Sequence, residues 1–220
     1  MIKLQNLSVQ TGSFILHNIS LDVREGTYAT LMGKNGQGKT TLMEAICGLR
    51  TVTAGTIQIN SVDITRWLPG DRGIGYVPQD LVVFPGMTTY DQIAFPLKIR
   101  RWPRRMISDR VSEVAVLLHL TALLSRRPDE LSGGQSQRVA IGRALSFRPR
   151  VLMLDEPVSS LDQQAKNETL SLLKSIQQQV GVTTLHITHD EKEAGRMADQ
   201  RFVIDNGTIS EQSSLASPIH

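Results

Sequence analysis

Gly33-Lys34-Asn35-Gly36-Gln37-Gly38-Lys39-Thr40 matches the pattern G-x-x-x-x-G-K-[ST], which nucleotide-binding proteins place between a strand and a helix. The apolar run Tyr28–Met32 predicts the strand, and the apolar spacing within Lys39–Leu49 predicts the helix. Glycines let the backbone wrap closely round a phosphate, and the helix start adds a positive end. We expect an exposed loop in which Lys39 reaches the β- and γ-phosphates and the Thr40 hydroxyl binds Mg²⁺. A small kinase, a GTPase and a motor protein would all share this loop.

Strand-like and helix-like runs alternate along most of the chain, which predicts an α/β fold. Ile2–Val9 and Phe14–Val23 alternate apolar and polar residues around Thr11-Gly12-Ser13, a pattern that predicts an antiparallel hairpin. Val151–Leu154 and Thr183–Ile187 are continuous apolar or β-branched runs, which is typical of parallel strands covered on both faces.

The middle of the chain differs, because no convincing strand occurs within Asp91–Phe147. Apolar residues in Val111–Leu120 are spaced as on one face of a helix, and Ser108 is expected to cap that helix. We therefore predict a single domain over residues 1–220 with a helical insertion at about residues 81–150.

Composition excludes several classes of protein. The chain has 220 residues, of which 40% are hydrophobic and 20% are charged, so intrinsic disorder is not expected. No apolar run approaches the roughly 18 residues that a membrane span needs, and no signal peptide is recognisable. Cys47 is the only cysteine, which excludes an internal disulfide and fits a reducing cytosol. The net charge of +3 is too small to indicate nucleic acid by itself.

Two carboxylates directly follow the predicted strand Val151–Leu154. Asp155 at the strand end is suited to hold Mg²⁺ or its water shell. Glu156, the next residue, is placed to accept a proton from an attacking water as a general base. Beside a phosphate loop, this pair indicates nucleotide hydrolysis.

A second phosphate-binding helix start is formed by Leu131-Ser132-Gly133-Gly134-Gln135, ahead of the predicted helix Gln135–Ala144. Ser132 offers a hydroxyl, and the first turn of the helix offers free N–H groups. A single nucleotide does not need two such loops within one domain. This loop is therefore expected to serve a nucleotide that another copy of the protein holds.

With these motifs, nearly the whole sequence resembles the nucleotide-binding subunits of ABC transporters. Gln79 resembles the Q-loop of that family, Ser159–Asp162 its D-loop, and His189 its switch histidine. The resemblance implies a P-loop NTPase core with a mainly parallel sheet, an N-terminal antiparallel β subdomain and an inserted helical subdomain. It also implies a head-to-tail homodimer with two ATP molecules, each held between the phosphate loop of one subunit and the Ser132–Gln135 loop of the other.

The resemblance assigns a role to each matching position. Glu156, His189 and Gln79 would be catalytic, and Asp162 would communicate between the subunits. Mg²⁺ would be bound by Thr40, Gln79 and, through water, Asp155. ATP would be contacted by Gly33, Lys34, Asn35, Gly36, Gln37, Gly38, Lys39, Thr40 and Thr41 of one subunit and by Ser132, Gly133, Gly134 and Gln135 of its partner.

The adenine contact is a departure from the family pattern. The family usually has an aromatic residue early in the chain that stacks on adenine, and Thr11 occupies that place here. Phe14 follows three residues later. Either Phe14 meets the adenine, or its ring belongs to the core of the hairpin.

Glu156–Asp162 resembles the corresponding stretch of sugar, polyamine and inorganic-ion importers more than that of the lipoprotein-release branch. The resemblance implies permease subunits in the membrane and places this chain as a peripheral protein on the cytoplasmic face. A solute-binding protein is a further partner that is compatible with the resemblance. It implies no nucleic-acid partner. A regulatory β-domain follows in many such importers, and the end of this chain at His220 predicts its absence. The alternatives are an exporter or lipoprotein-handling subunit, a soluble ABC switch in DNA repair or translation, and a binding module without hydrolysis.

Two surface features are interpreted separately. Lys98–Arg105 is a basic cluster, which we interpret as a solvated face rather than a site for nucleic acid or anionic lipid. The apolar run Leu81, Val82, Val83 and Phe84 is expected to border a groove that receives a permease helix. The alternative is a buried loop that packs on the helical insertion.

Overall fold

The computed structural model describes residues 1–80 and 83–212, which form ten strands and six α-helices. In chain order these are β1 (Ile2–Thr11), β2 (Phe14–Val23), β3 (Tyr28–Met32), α1 (Lys39–Cys47), β4 (Val52–Ile59), β5 (Val62–Asp63), β6 (Ile74–Val77), α2 (Thr89–Ile99), α3 (Arg104–Leu117), α4 (Gly133–Leu145), β7 (Val151–Asp155), α5 (Gln163–Val180), β8 (Thr183–Ile187), α6 (Glu191–Met197), β9 (Gln200–Asp205) and β10 (Thr208–Gln212). Leu81 and Val82 of the predicted groove lie outside the described residues. None of the helices described has both the length and the apolarity that a membrane crossing requires.

The strands form two sheets with different connectivity. The first sheet is antiparallel and has the order β2-β1-β4-β5. The predicted β1–β2 hairpin is present and pairs Ile2 with Val23, but β1 continues past Val9 to Thr11, which pairs with Phe14 instead of lying in the turn. The second sheet has the order β10-β9-β3-β8-β7-β6, and only its β9–β10 pair is antiparallel. The predicted α/β class, with a mainly parallel sheet and an N-terminal antiparallel β subdomain, is confirmed.

The parallel strands bring four of the sequence motifs to one edge of the second sheet. Strands β3, β6, β7 and β8 run in the same direction, so their C-terminal ends share that edge. The phosphate loop follows β3, Gln79 follows β6, Glu156 follows β7 and His189 follows β8. Ligands of open α/β sheets bind at this edge.

Side-chain alternation along the buried strands creates two cores. Val151 and Met153 of β7 face the core that contains β1, β2 and α1. Leu152 and Leu154 of the same strand face the second core, which contains α2 to α5. Because successive side chains of a strand point to opposite faces, a continuous apolar run serves both cores at once.

Helices α2, α3 and α4 lie between β6 and β7 in the chain and contact one another. The contact is close at Gly142 of α4, where an added Cβ would lie 2.9 Å from Leu118 Cδ1. The division of residues 1–220 into one domain with an insertion at about residues 81–150 stays a prediction.

Several helix ends differ from the predicted ones, and α4 spans Gly133–Leu145 instead of Gln135–Ala144. The prediction that Ser108 caps a helix is wrong, because α3 begins earlier, at Arg104, directly after Pro103. Ser108 lies inside the helix, where its carbonyl oxygen accepts a hydrogen bond of 3.0 Å from Ser112 Oγ. Helix α1 ends at Cys47 instead of Leu49. Gly48 adopts a left-handed conformation with a φ of 82° and forms the C-cap of the helix.

Candidate functional site

The phosphate loop is built on glycines in conformations that other residues rarely adopt. Gly36 and Gly38 have φ values of 82° and 89°. A Cβ at Gly38 would also lie 2.8 Å from the ring of Phe14, so the hairpin packs closely on the loop. No side chain caps the start of α1 after Gly38. The first N–H groups of α1 are therefore left for a ligand, as at other anion-binding helix starts.

The phosphate loop is exposed at Lys34, Asn35 and Gly36, as expected. Lys39, the first residue of α1, is buried instead of exposed. Its relative exposure is only 6%, because the side chain folds back over the loop. Lys39 Nζ donates hydrogen bonds to the carbonyl oxygens of Gly33 and Lys34, at 2.7 Å and 3.0 Å. The ammonium group thus holds the loop in shape at the place where phosphates are expected.

Asp155 ends β7 and has the environment of a cation ligand. It is 1% exposed, and neither carboxylate oxygen has a hydrogen-bond partner among the described residues. Burial raises the pKa of Asp155, and the nearby Thr40 hydroxyl lowers it in part. Within residues 1–80 and 83–212 no group of three or more His, Cys, Asp or Glu side chains could hold a metal. Mg²⁺ is usually bound by one or two carboxylates together with phosphate oxygens, so Thr40 and Asp155 fit Mg²⁺ beside a nucleotide.

Glu156 and His189 contact each other at the C-terminal edge of the sheet. His189 Nδ1 lies 3.1 Å from Glu156 Oε2. The Glu156 side chain is 11% exposed, whereas that of His189 is 60% exposed. Glu156 has a φ of 45°, a conformation that is costly for a residue with a Cβ and that is often found at functional sites. Its backbone N–H donates to the carbonyl oxygen of Ile187 at 3.0 Å, which ties the ends of β7 and β8 together.

A cavity of about 570 Å³ joins most of the predicted site residues. Phosphate-loop residues, Gln79, Glu156 and His189 all contribute to its wall, and so do both candidates for the adenine contact, Thr11 and Phe14. The full lining consists of Thr11, Phe14, Asn35, Gly36, Gly38, Lys39, Thr40, Thr41, Gln79, Glu156 and His189. A second cavity of about 690 Å³ shares Asn35 and His189 with the first one. It also includes Glu191 and Arg201, which the sequence analysis did not identify.

The Ser132–Gln135 loop does not line this cavity. Ser132 Oγ accepts a hydrogen bond from the Gln135 N–H at 3.3 Å, and Gln135 Oε1 accepts one from the Ser132 N–H at 3.0 Å. This capping box uses the Ser132 hydroxyl as an acceptor only, so its proton stays available to a ligand. Ser132 and Gly133 are exposed at the start of α4.

Asp162 has a structural role that its motif did not suggest. Its Oδ1 accepts hydrogen bonds from the N–H groups of Gln164 and Ala165, at 3.0 Å and 2.9 Å, and so caps α5. The start of α5 lies against the start of α4, since a Cβ at Gly134 would be 3.3 Å from Ala165 Cβ. An Asp before a helical run is a recognisable N-cap signal.

The two surface features have partners within the chain. Lys98 pairs with Asp91 at 2.8 Å, and the Arg100 guanidinium lies 3.9 Å from the centroid of the Phe147 ring. The Phe84 ring packs against Phe95 with centroids 5.2 Å apart. These contacts do not test the predicted permease groove.

The fold and the site together define a P-loop nucleotide-binding cassette: the loop, the Asp155–Glu156 pair, Gln79 and His189 follow neighbouring parallel strands. A family model described as ABC transporter matches residues 16–159. The chain therefore belongs to the ABC transporter family, as the sequence resemblance predicted.

Curated relatives and solved structures agree with this assignment. The trehalose/maltose import ATP-binding protein MalK of Thermococcus litoralis is 44% identical over 205 residues, which cover 90% of this chain and 55% of that protein. The sulfate/thiosulfate import ATP-binding protein CysA of Xylella fastidiosa is 40% identical, over 98% of this chain and 63% of that protein. The chain thus spans 55% to 63% of the length of these two relatives. A solved dimeric ATP-binding cassette in a post-hydrolysis state, bound to ADP and Pi, superposes with a TM-score of 0.83 and 28% identity, over 97% of this chain and 98% of that one.

Proposed function

We propose that this chain binds and hydrolyses ATP and that it powers an ABC transporter, of the importer type, as its ATP-binding subunit. The observation that carries the proposal is the contact of 3.1 Å between Glu156 and His189 at the wall of the phosphate-loop cavity. A carboxylate and an imidazole in contact beside a phosphate site are suited to activate and orient water.

ATP binding rests on the loop and on Lys39. The N–H groups at the start of α1 and the loop backbone surround the phosphates, which the helix dipole also favours. In the nucleotide complex, Lys39 Nζ would exchange its two carbonyl contacts for charge-assisted hydrogen bonds to phosphate oxygens. Phe14, packed on Gly38, offers an aromatic face at the rim of the same cavity.

Mg²⁺ would be held by the Thr40 hydroxyl, the Asp155 carboxylate and Gln79. When bound, the ion neutralises charge on the phosphate oxygens. The protein supplies a buried carboxylate without a hydrogen-bond partner among the described residues, and the Thr40 hydroxyl lies beside it. Gln79 lies at the wall of the cavity, directly after β6.

Hydrolysis is assigned to Glu156 as general base. Its carboxylate accepts a proton from the attacking water. His189 would contact the γ-phosphate and orient the Glu156 carboxylate toward that water. The bond from Glu156 N–H to Ile187 keeps the strained backbone of Glu156 in place before the reaction.

A second copy of the chain would complete each site. Ser132, Gly133, Gly134 and Gln135 lie outside the cavity that their own chain forms, yet they present an exposed helix start with a free hydroxyl proton. The solved cassettes of similar fold are described as dimeric, which supports the same arrangement here. Asp162 caps the helix beside this loop and would link its position to the partner subunit.

The names of the relatives support the proposed direction of transport and the proposed partners. The two curated relatives are named as import ATP-binding proteins. We extend this to permease subunits in the membrane, to this chain as a peripheral protein on their cytoplasmic side, and to a solute-binding protein outside. Export, which the sequence left open as an alternative, would use the same site chemistry.

Release of phosphate from ATP by the purified chain tests the proposed activity. We expect release that requires Mg²⁺ and is abolished by EDTA and by Glu156→Gln. Glu25→Gln is the matched control, because Glu25 is exposed in the loop before β3, at the other end of that strand from the phosphate loop. Equal rates for Glu156→Gln and Glu25→Gln would contradict the assignment of the base.

A further inference from the structure

The residues on both sides of His189 are held by a polar cluster outside the nucleotide cavity. Thr188 Oγ1 donates to Glu193 Oε2 at 2.7 Å and accepts from the Asp190 N–H at 3.1 Å. Asp190 Oδ1 in turn accepts from the Lys192 N–H at 2.8 Å and caps α6. The backbone that carries His189 is thereby fixed to the first turn of α6.

Lys166 connects this cluster to α5. Its Nζ contacts Asp190 Oδ2 at 3.0 Å and Glu193 Oε1 at 2.5 Å. The backbone N–H of Lys166 donates to the carbonyl oxygen of Asp162 at 2.9 Å, within the first turn of α5. A single side chain therefore joins the helix that Asp162 caps to the loop that carries His189.

Lys166 is also the cation that balances Glu193. The Glu193 side chain is only 7% exposed, so its charge needs a partner. His186 Nε2 lies 3.8 Å from Glu193 Oε2, but burial lowers the pKa of His186 to about 4 and leaves it neutral at neutral pH. The His186 ring contacts the Tyr28 hydroxyl instead, through Nδ1 at 3.0 Å. The positive charge next to Glu193 therefore comes from α5.

A second lysine of α5 makes a comparable contact at the other end of α6. Lys174 Nζ contacts Asp199 Oδ1 at 2.8 Å and the Met197 carbonyl oxygen at 2.9 Å. Lys166 and Lys174 thus share residue type, helix and kind of partner. They differ in that the partners of Lys166 belong to the cluster that holds the loop of His189, whereas the partners of Lys174 lie at and just after the end of α6.

We infer that Lys166 is a positioning residue for the proposed ATPase reaction: by joining the Asp162 end of α5 to Asp190 and Glu193, it sets where His189 lies relative to Glu156. The inference rests on the proposed function, since it concerns the chemical step at the same site. It makes the start of α5, and not only the strand ends, a determinant of the catalytic geometry.

Steady-state ATP hydrolysis by Lys166→Met, Lys166→Arg and Lys174→Met tests this inference. We expect Lys166→Met to lower kcat roughly tenfold to a hundredfold, as a misplaced catalytic group does, with little change in KM for ATP. Lys166→Arg keeps the ion pair and should recover most of kcat. Lys174→Met should keep the wild-type kcat even where its melting temperature falls as much as that of Lys166→Met.

The double variant Lys166→Met/Glu193→Gln distinguishes the loss of positioning from the loss of the charge that balances Glu193. It also guards against the case in which Lys166→Met is inactive only because it misfolds. It leaves no unpaired buried charge at position 193, and the amide oxygen introduced there still accepts from Thr188. Only the link through Lys166 is absent, while the Lys174 contact with the end of α6 remains. We expect normal stability and a kcat as low as that of Lys166→Met. Recovery of the wild-type kcat in the double variant, or equal kcat values for Lys166→Met and Lys174→Met, would overturn the inference alone. An inactive wild-type chain would overturn the proposed function and the inference with it.

Discussion

The carboxylate of Glu156 and the imidazole of His189 come from the ends of two different strands and lie 3.1 Å apart. Strands β7 and β8 are parallel neighbours, and the pairing of Asp155 with Ile187 brings their ends level. The Glu156 backbone bends into a left-handed conformation directly after this last pair. The contact therefore results from the register of the two strands. It places the proposed proton acceptor, Glu156, and the group proposed to orient it, His189, beside the phosphate loop.

Replacing Lys39 should abolish turnover and also cost some stability. Lys39→Ala removes the cation expected at the phosphates and the two hydrogen bonds to Gly33 and Lys34. Those bonds predict a loss of roughly 1 to 3 kcal/mol in the free energy of unfolding. Calorimetry with a non-hydrolysable ATP analogue, together with urea unfolding, measures both effects. Lys3→Ala, at an exposed position of β1, is the control, and unchanged affinity for the analogue would exclude Lys39 from the site.

Asp155→Asn should stabilise the nucleotide-free chain while it removes Mg²⁺-dependent hydrolysis. Burial raises the pKa of Asp155 in the folded state above its value in the unfolded chain. Its charge therefore destabilises the fold at pH values above the folded-state pKa, and this cost disappears below the unfolded-state pKa of about 4. The melting temperature of Asp155→Asn should exceed that of the wild type at pH 8 and match it at low pH. Asp22→Asn, at an exposed position of β2, should show no such difference. A lower melting temperature for Asp155→Asn than for the wild type at pH 8 would contradict the argument.

His189→Ala should slow the chemical step and leave ATP binding intact. The ring contacts Glu156 but is largely exposed, so its removal leaves the fold in place. Single-turnover hydrolysis should fall roughly tenfold to a hundredfold through loss of positioning. His17→Ala, an exposed site on β2, provides the comparison. Equal rates for the two variants would mean that His189 does not act in hydrolysis.

Complementation should show that each site is shared between two copies. Lys39→Ala and Ser132→Arg should each be inactive alone, because one damages the loop and the other the exposed start of α4. In a mixture, a heterodimer has one of its two composite sites intact, so activity should return. A mixture as inactive as its components would favour a site contained within one chain.

The parts of the fold that were predictable are those with a local signal. The phosphate loop, the β1–β2 hairpin and the buried strands β7 and β8 each follow from a motif, a period of two or a continuous apolar run. Ser108 misled because a hydroxyl near a helical run is a weaker signal than Pro103, which set the actual start of α3.

The remaining features depend on contacts between distant segments. Burial of Lys39 results from its own fold-back onto Gly33 and Lys34, and the motif alone says nothing about that. The pair of Lys166 with Glu193 joins two helices whose residues look like ordinary exposed charges in the sequence. Such long-range ion pairs have no periodic signature, so only the structure reveals them.

The most direct test of the account is the oligomeric state of Glu156→Gln in the presence of nucleotide. The amide retains the size of Glu156 but cannot take a proton from water, so ATP should stay bound between the phosphate loop of one subunit and Ser132 of the other. Gel filtration should show a dimer with MgATP and a monomer with MgADP, while Glu25→Gln behaves as the wild type. A Glu156→Gln variant that stays monomeric in saturating MgATP, or that hydrolyses ATP at the wild-type rate, would contradict the shared site and the assignment of Glu156 as the base.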